Sequence, residues 1–255
     1  MDIERRFGGI ARLYGKEASH KIQEARFTVI GVGGVGSWAA EALARTGVRR
    51  LTLIDMDVVA ESNTNRQLQA LEGEFGKNKI DVLADRFKKI NPEIELTLVD
   101  DFVTEENAES LICAASGIVL DCIDQKKIKA AIAARAKSCA VPLITSGAAG
   151  GRKDPLRIRS GDLARTAGDP LLSKVRYELR KRYGFPAGGS SGAGRRFGIT
   201  AVYSDEPVTA SLDGSCGLQS AGGLQCAGYG SSVTVTSCMG MVCAAEALKC
   251  VLLKR

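Results

Sequence analysis

Phe27-Thr28-Val29-Ile30-Gly31-Val32-Gly33-Gly34-Val35-Gly36 is the stretch on which the fold turns. Four β-branched or aromatic residues read as a strand, run into a turn with four glycines, and are followed by helical spacing from about Ser37 to Arg45. Glycine lets the backbone approach phosphate oxygens, and the free N–H groups at a helix start attract an anion. Outward from there, strands and helices alternate. Leu51 to Asp55, Ile94 to Val99, Ile118 to Asp121 and Val141 to Thr145 read as strands. Lys77 to Ile90, stopped by Asn91-Pro92, Glu105 to Cys113 and Lys126 to Cys139 read as helices. Such alternation predicts parallel βαβ units: a Rossmann-like α/β fold with helices on both faces of a mainly parallel sheet.

After Ser146 the rhythm loosens. Gly147 to Gly151 is a turn, and Leu156 to Arg159 and Ile199 to Tyr203 are candidate strands. Pro170 to Tyr183 is a basic helix opened by its proline. A flexible loop spans about 185–198, and Leu212 to Ser232 is rich in glycine and resists assignment. The expectation is a single domain over 1–255, with a nucleotide-binding half (1–146) and a substrate-binding and dimerisation half (147–255) of less regular build.

Composition narrows the function classes. The chain has 255 residues, 45% hydrophobic and 25% charged, enough to bury a large core. Met1 to Arg6 lacks the apolar run of a signal peptide. Val233 to Leu253 is the one membrane-like stretch, but Glu246 and Lys249 interrupt it and its alanines and cysteines read as a buried helix. None of the eight cysteines forms a CxxC pair, which argues against zinc and for a reducing, cytoplasmic setting. The single histidine, His20, lies among charged residues, so histidine-based triads are excluded. Between Arg152 and Arg196, twelve Lys/Arg face four acids, a net +8 in a chain of net +6. That concentration suits a polyanion such as RNA, or a solvated helix face.

Asp55 ends the second strand nineteen residues beyond Gly36, where a carboxylate can grip ribose hydroxyls. Glycine turn and Asp55 alone fit a nicotinamide dehydrogenase equally well. The next residues separate the readings: Asp57, then Ser62, Asn63 and Arg66 in SNTNRQ, then Lys79 thirteen residues past Arg66. Attack on the α-phosphate of ATP builds negative charge on phosphoryl oxygens and pyrophosphate, and fixed cations offset it. Asp124, just past the fourth strand, stands where a carboxylate can hold Mg²⁺ against the triphosphate, or cap a helix.

The combination GVGGVG, IDMD, SNTNRQ, GKNK and LDCID resembles the ThiF-type, ubiquitin-activating-enzyme-like adenylyltransferases. The resemblance implies that Gly31, Gly33, Gly34, Gly36, Asp55, Asp57, Ser62 and Asn63 bind ATP, that Arg66 and Lys79 contact its phosphates, and that Asp124 holds Mg²⁺. It also implies a homodimer in which an N-terminal arginine, Arg12 or Arg6, completes the partner's pocket. RFGGIARLYG from Arg6, DDFVT from Asp100 and DPLL from Asp169 resemble the branch of that family acting on tRNA that carries N6-threonylcarbamoyladenosine. This branch lacks a zinc site and leaves room for a monovalent cation. The implied reaction adenylates the threonyl carboxylate, whose own side chain then closes a ring with net loss of water. Cys226 is a candidate for a transient covalent role, or a structural thiol. The competing reading is an activator of a ubiquitin-like sulfur-carrier protein, with sulfur-transfer partners.

Overall fold

The computed structural model describes residues 2–187, 195–209 and 229–253. Its strands are β1 (Arg26–Ile30), β2 (Arg50–Ile54), β3 (Glu95–Val99), β4 (Ile118–Asp121), β5 (Leu143–Ser146), β6 (Ile158–Asp162) and β7 (Thr200–Ser204). They form one sheet in the order β3-β2-β1-β4-β5-β7-β6. All pairings are parallel except β6 with β7. The chain winds outward from β1 through β2 to β3, then returns to the other side of β1 for β4 and β5. This reversal opens a crevice beyond the carboxyl ends of β1 and β4, where open α/β sheets receive ligands. Both halves of the sequence build this sheet, because β7 continues it beside β5.

Alternate strand residues feed two cores. Val29, Leu120, Ile144 and Val202 pack under α2 (Lys16–Glu24), α3 (Gly36–Arg45), α4 (Lys79–Ile90) and α8 (Val233–Leu252). Ile30, Val119, Leu143 and Ala201 pack under α5 (Ala108–Leu111), α6 (Lys126–Ser138) and α7 (Pro170–Tyr183). The Val233–Leu252 segment is long and apolar enough to cross a membrane by composition alone. Here it lies against α3, and Cys243, Ala244 and Ala247 are buried in the core. The crossing is so close that a Cβ on Gly240 would sit 2.5 Å from the Val35 carbonyl oxygen.

Several expectations shift. The helix expected over Glu105 to Cys113 shrinks to the single turn α5. Thr104 and Asn107 exchange side-chain-to-backbone hydrogen bonds before it (Thr104 N–H to Asn107 Oδ1, 2.7 Å), and Ile112 turns extended after it. Side-chain bonds of this kind offer the backbone an alternative to the helix. Strand β5 begins at Leu143 rather than Val141, and Pro155–Arg157 forms a 3₁₀ turn so that β6 starts at Ile158. Two N-terminal helices, α1 (Ile3–Tyr14) and α2, were not read from the sequence. Gly8-Gly9 inside α1 masks its periodicity, and Phe7 is its one buried anchor.

Candidate functional site

A cavity of about 940 Å³ occupies the crevice beyond β1 and β4. Its floor is the turn after β1, with Gly31, Gly33 and Gly34 on the wall. The N–H groups of Gly33 and Gly34 have no acceptor among the described residues, so they are available to an anion. Gly36 opens α3 beneath the turn, and a Cβ there would fall 1.8 Å from the Gly31 carbonyl oxygen. Only glycine permits that approach.

Asp55 is buried at the end of β2. Its Oδ2 accepts the Val32 N–H at 2.8 Å and its Oδ1 accepts the Asp57 N–H at 2.9 Å. Burial pushes its pKa above the usual aspartate value, while the nearby Lys79 charge and the two N–H donors pull the other way. The residue expected to grip ribose therefore also braces the glycine turn. Lys79 opens α4 with its side chain only 5% exposed, and its Nζ lies 2.7 Å from Asp57 Oδ2. Both residues line the cavity, so this ion pair holds a buried cation at its wall.

Arg66 reaches the same space. Its Nη1 donates to the Ser62 carbonyl at 2.6 Å and to Asn65 Oδ1 at 2.9 Å, and burial lowers its pKa. An arginine stays protonated regardless. Asn63 is buried and shapes the loop, its Oδ1 accepting the Ala60 N–H at 3.1 Å. Two residues that the sequence did not mark fix the Arg66 backbone. Trp38 Nε1 of α3 donates to its carbonyl at 3.1 Å, and Thr236 Oγ1 of α8 at 3.3 Å.

Asp124 stands half-buried on the opposite wall, and its carboxylate accepts no hydrogen bond from the described residues. Beneath it lies a charge pair that no motif announced. Asp121 and Lys129 are both fully buried, with Nζ 3.0 Å from Oδ2. Lys129 also donates to the carbonyls of Asp121 (3.2 Å) and Ile123 (3.1 Å), and Thr145 Oγ1 donates to Asp121 Oδ2 at 2.8 Å. These bonds tie β4, β5 and α6 to the loop that carries Asp124.

The outer end of the cavity is formed by Ser146 to Gly150, by Pro170, Leu171 and Lys174 of α7, and by Tyr229 to Ser231. Asp169 caps α7, accepting the Leu172 and Ala148 N–H groups at 2.9 Å each. Burial raises its pKa, an effect that those bonds and Arg152 oppose. Lys174 counted in the sequence only toward bulk charge, and its place on the cavity wall was missed. Six of the twelve basic residues in that segment are engaged within the fold. Arg152 donates to the Gly168 carbonyl, Arg157 and Arg159 pair with Asp205, Arg176 bonds Thr166, Arg180 bonds the Pro186 carbonyl, and Arg182 pairs with Glu105.

Neither N-terminal arginine lines this chain's own cavity. Arg6 Nη1 donates to the Lys89 and Ile90 carbonyls at the end of α4 (3.1 and 2.8 Å), whereas the Arg12 side chain makes no ion pair among the described residues. Cys226 and the 188–194 part of the expected loop lie outside the described residues.

Residues 8–255 match the ThiF family. The chain belongs to that family. This ThiF-family chain is 43% identical over 252 residues to the tRNA threonylcarbamoyladenosine dehydratase of Escherichia coli (strain K12), covering 96% of this chain and 92% of that one. It is 41% identical over 256 residues to the same-named protein of Haemophilus influenzae (strain ATCC 51907 / DSM 11121 / KW20 / Rd), covering 100% and 96%. It superimposes on a crystal structure of the E. coli tRNA N6-threonylcarbamoyladenosine dehydratase in complex with ATP with a TM-score of 0.86, at 42% identity, over 98% of this chain and 95% of that one. The sequence expectation of a ThiF-type Rossmann-like fold is thus met.

Proposed function

We propose that this chain is an ATP-dependent tRNA threonylcarbamoyladenosine dehydratase, an adenylate-forming enzyme that cyclises N6-threonylcarbamoyladenosine in tRNA. The observation that carries the reading is the convergence of Arg66 and Lys79 on one cavity floored by the glycine turn. Near-full-length identity to proteins of that name supports the same substrate.

The carboxylate of threonine is a poor electrophile because its leaving group would be oxide or hydroxide. Its oxygen attacks the α-phosphorus of ATP, the bond to the β-phosphate oxygen breaks, and pyrophosphate leaves. The substrate's own nucleophile then attacks the acyl carbon and expels AMP, which closes the ring. The oxygen lost from the substrate departs in AMP and the nucleophile's proton passes to solvent, so the change in the substrate is net loss of water. In this reading Asp55 faces the ribose while it braces the turn, and the Gly33 and Gly34 amides with Arg66 and Lys79 offset the charge that grows on the phosphates. Breaking the Lys79–Asp57 pair is the local rearrangement that lets Lys79 turn to a phosphate.

Mg²⁺ suits Asp124. A single hard carboxylate without an intramolecular partner is the kind of protein ligand Mg²⁺ takes when phosphates complete its shell. Bound there, Mg²⁺ would neutralise phosphate charge. Among the described residues no group of three His, Cys, Asp or Glu could hold a metal independently of the nucleotide. Arg12, which makes no ion pair among the described residues, is the N-terminal arginine we assign to a second copy's cavity in a homodimer. The deciding experiment is mass spectrometry of tRNA nucleosides before and after incubation with enzyme and ATP. Loss of one water from threonylcarbamoyladenosine is expected. AMP added instead to the carboxyl terminus of a ubiquitin-like carrier, with the tRNA unchanged, would overturn the assignment.

A further inference from the structure

Helix α7 buries Leu171, Leu172, Val175 and Leu179 against the core, and Glu178 goes in with them. The opposite side presents Lys174, Tyr177 and Lys181, all exposed. Their spacing of three and then four places them in one row along the helix, about 10 Å from first to last. The row begins at the cavity, because Lys174 is part of its wall. Tyr177 stands 59% exposed, and Lys181 Nζ lies 5.6 Å from its ring centroid. Neither lysine forms an ion pair among the described residues, although half of the basic residues of that segment are engaged by other residues of the fold.

Resting on the reading that the substrate is a nucleotide of tRNA, we propose that this face of α7 is the track along which the RNA strand reaches the cavity. Tyr177 is the platform on which a base flanking the modified adenosine stacks, and Lys174 and Lys181 contact the phosphates on either side. Single-stranded RNA is recognised in this way, by aromatic stacking interleaved with cations that follow the backbone. A protein partner would need an apolar patch, and the row offers one ring between two charges. The geometry also explains how a base beside the reacting nucleotide is held outside while the threonylcarbamoyl group enters.

The test compares Tyr177→Ala, Tyr177→Phe and Lys181→Gln with the unaltered full-length protein. Binding of an anticodon stem-loop carrying threonylcarbamoyladenosine is followed by fluorescence anisotropy across a salt series, with ATP affinity measured in parallel as the readout of an intact fold. Tyr177→Ala should weaken RNA binding by about tenfold or more and raise KM for tRNA with little change in kcat. Tyr177→Phe should restore binding to within about twofold, since the ring is kept. Lys181→Gln should flatten the salt dependence by about one phosphate contact. Unchanged RNA affinity in Tyr177→Ala, with the unaltered enzyme still converting tRNA, overturns the track and leaves the function standing. Failure of the unaltered enzyme to bind or convert the modified tRNA overturns both. Loss of binding to an acidic protein, with RNA affinity untouched, assigns the face to another partner and also overturns it.

Discussion

The two ends of the cavity are built on different principles. At the nucleotide end, ionic groups sit at strand ends and helix starts and are held by short bonds with at least one buried partner: Asp55 to two backbone N–H groups, Lys79 to Asp57, Lys129 to Asp121. At the outer end the charged side chain on the wall, Lys174, is exposed, and the wall is a helix face with irregular segments. On the proposed reading the nucleotide end holds the phosphates and must keep charge in fixed positions, because electrostatic stabilisation works only when it is organised in advance. The outer end must admit part of a large flexible molecule, and exposed cations on a helix serve that without a deep pocket. The contrast is also one of origin. The nucleotide end depends on α8, from the far end of the chain, through the Thr236 bond to Arg66.

Five variants sharpen or break this contrast. The largest expected effect is on stability at the nucleotide end. Lys129→Met leaves Asp121 buried without its counter-charge and should cost about 3–5 kcal/mol in denaturant unfolding. A loss below about 1 kcal/mol would show that the pair is not buried as described. Next, Lys79→Ala and Arg66→Ala should each lower the rate of AMP formation by about a hundred- to a thousandfold with the unfolding midpoint nearly kept. Normal rates in both would remove the phosphate site. Third, Gly240→Val should push α8 from α3, costing about 1–3 kcal/mol. It should also slow adenylation by moving Thr236. Destabilisation with full activity would show that α8 does not position Arg66. The smallest effect belongs away from the cavity wall, where Arg157→Gln removes an exposed pair with Asp205 and should leave unfolding and adenylation indistinguishable from the unaltered protein.

Much of this was legible in order along the chain, and the reason is that the decisive constraints are local. Gly36 is forced by an approach to Gly31 five residues away, and α7 starts where Asp169-Pro170 caps it. Apolar runs, and for β3 an alternating one, fell at or within a residue or two of β1 to β5. The short α5 was overread because its apolar spacing is helical while its polar side chains bind the backbone.

The sequence by itself determined the alternation of strands and helices, the glycine turn after β1 and the order of charged residues around it, since each is read from neighbours a few positions apart. Only the tertiary structure decided which charges are buried and which face outward. Lys129 and Lys174 are the same residue type in helices of similar basic character, yet one is sealed against Asp121 and the other stands on the cavity wall. That choice is made by which face of a helix meets the sheet. It is set by the sum of contacts from distant segments and is invisible in any one of them.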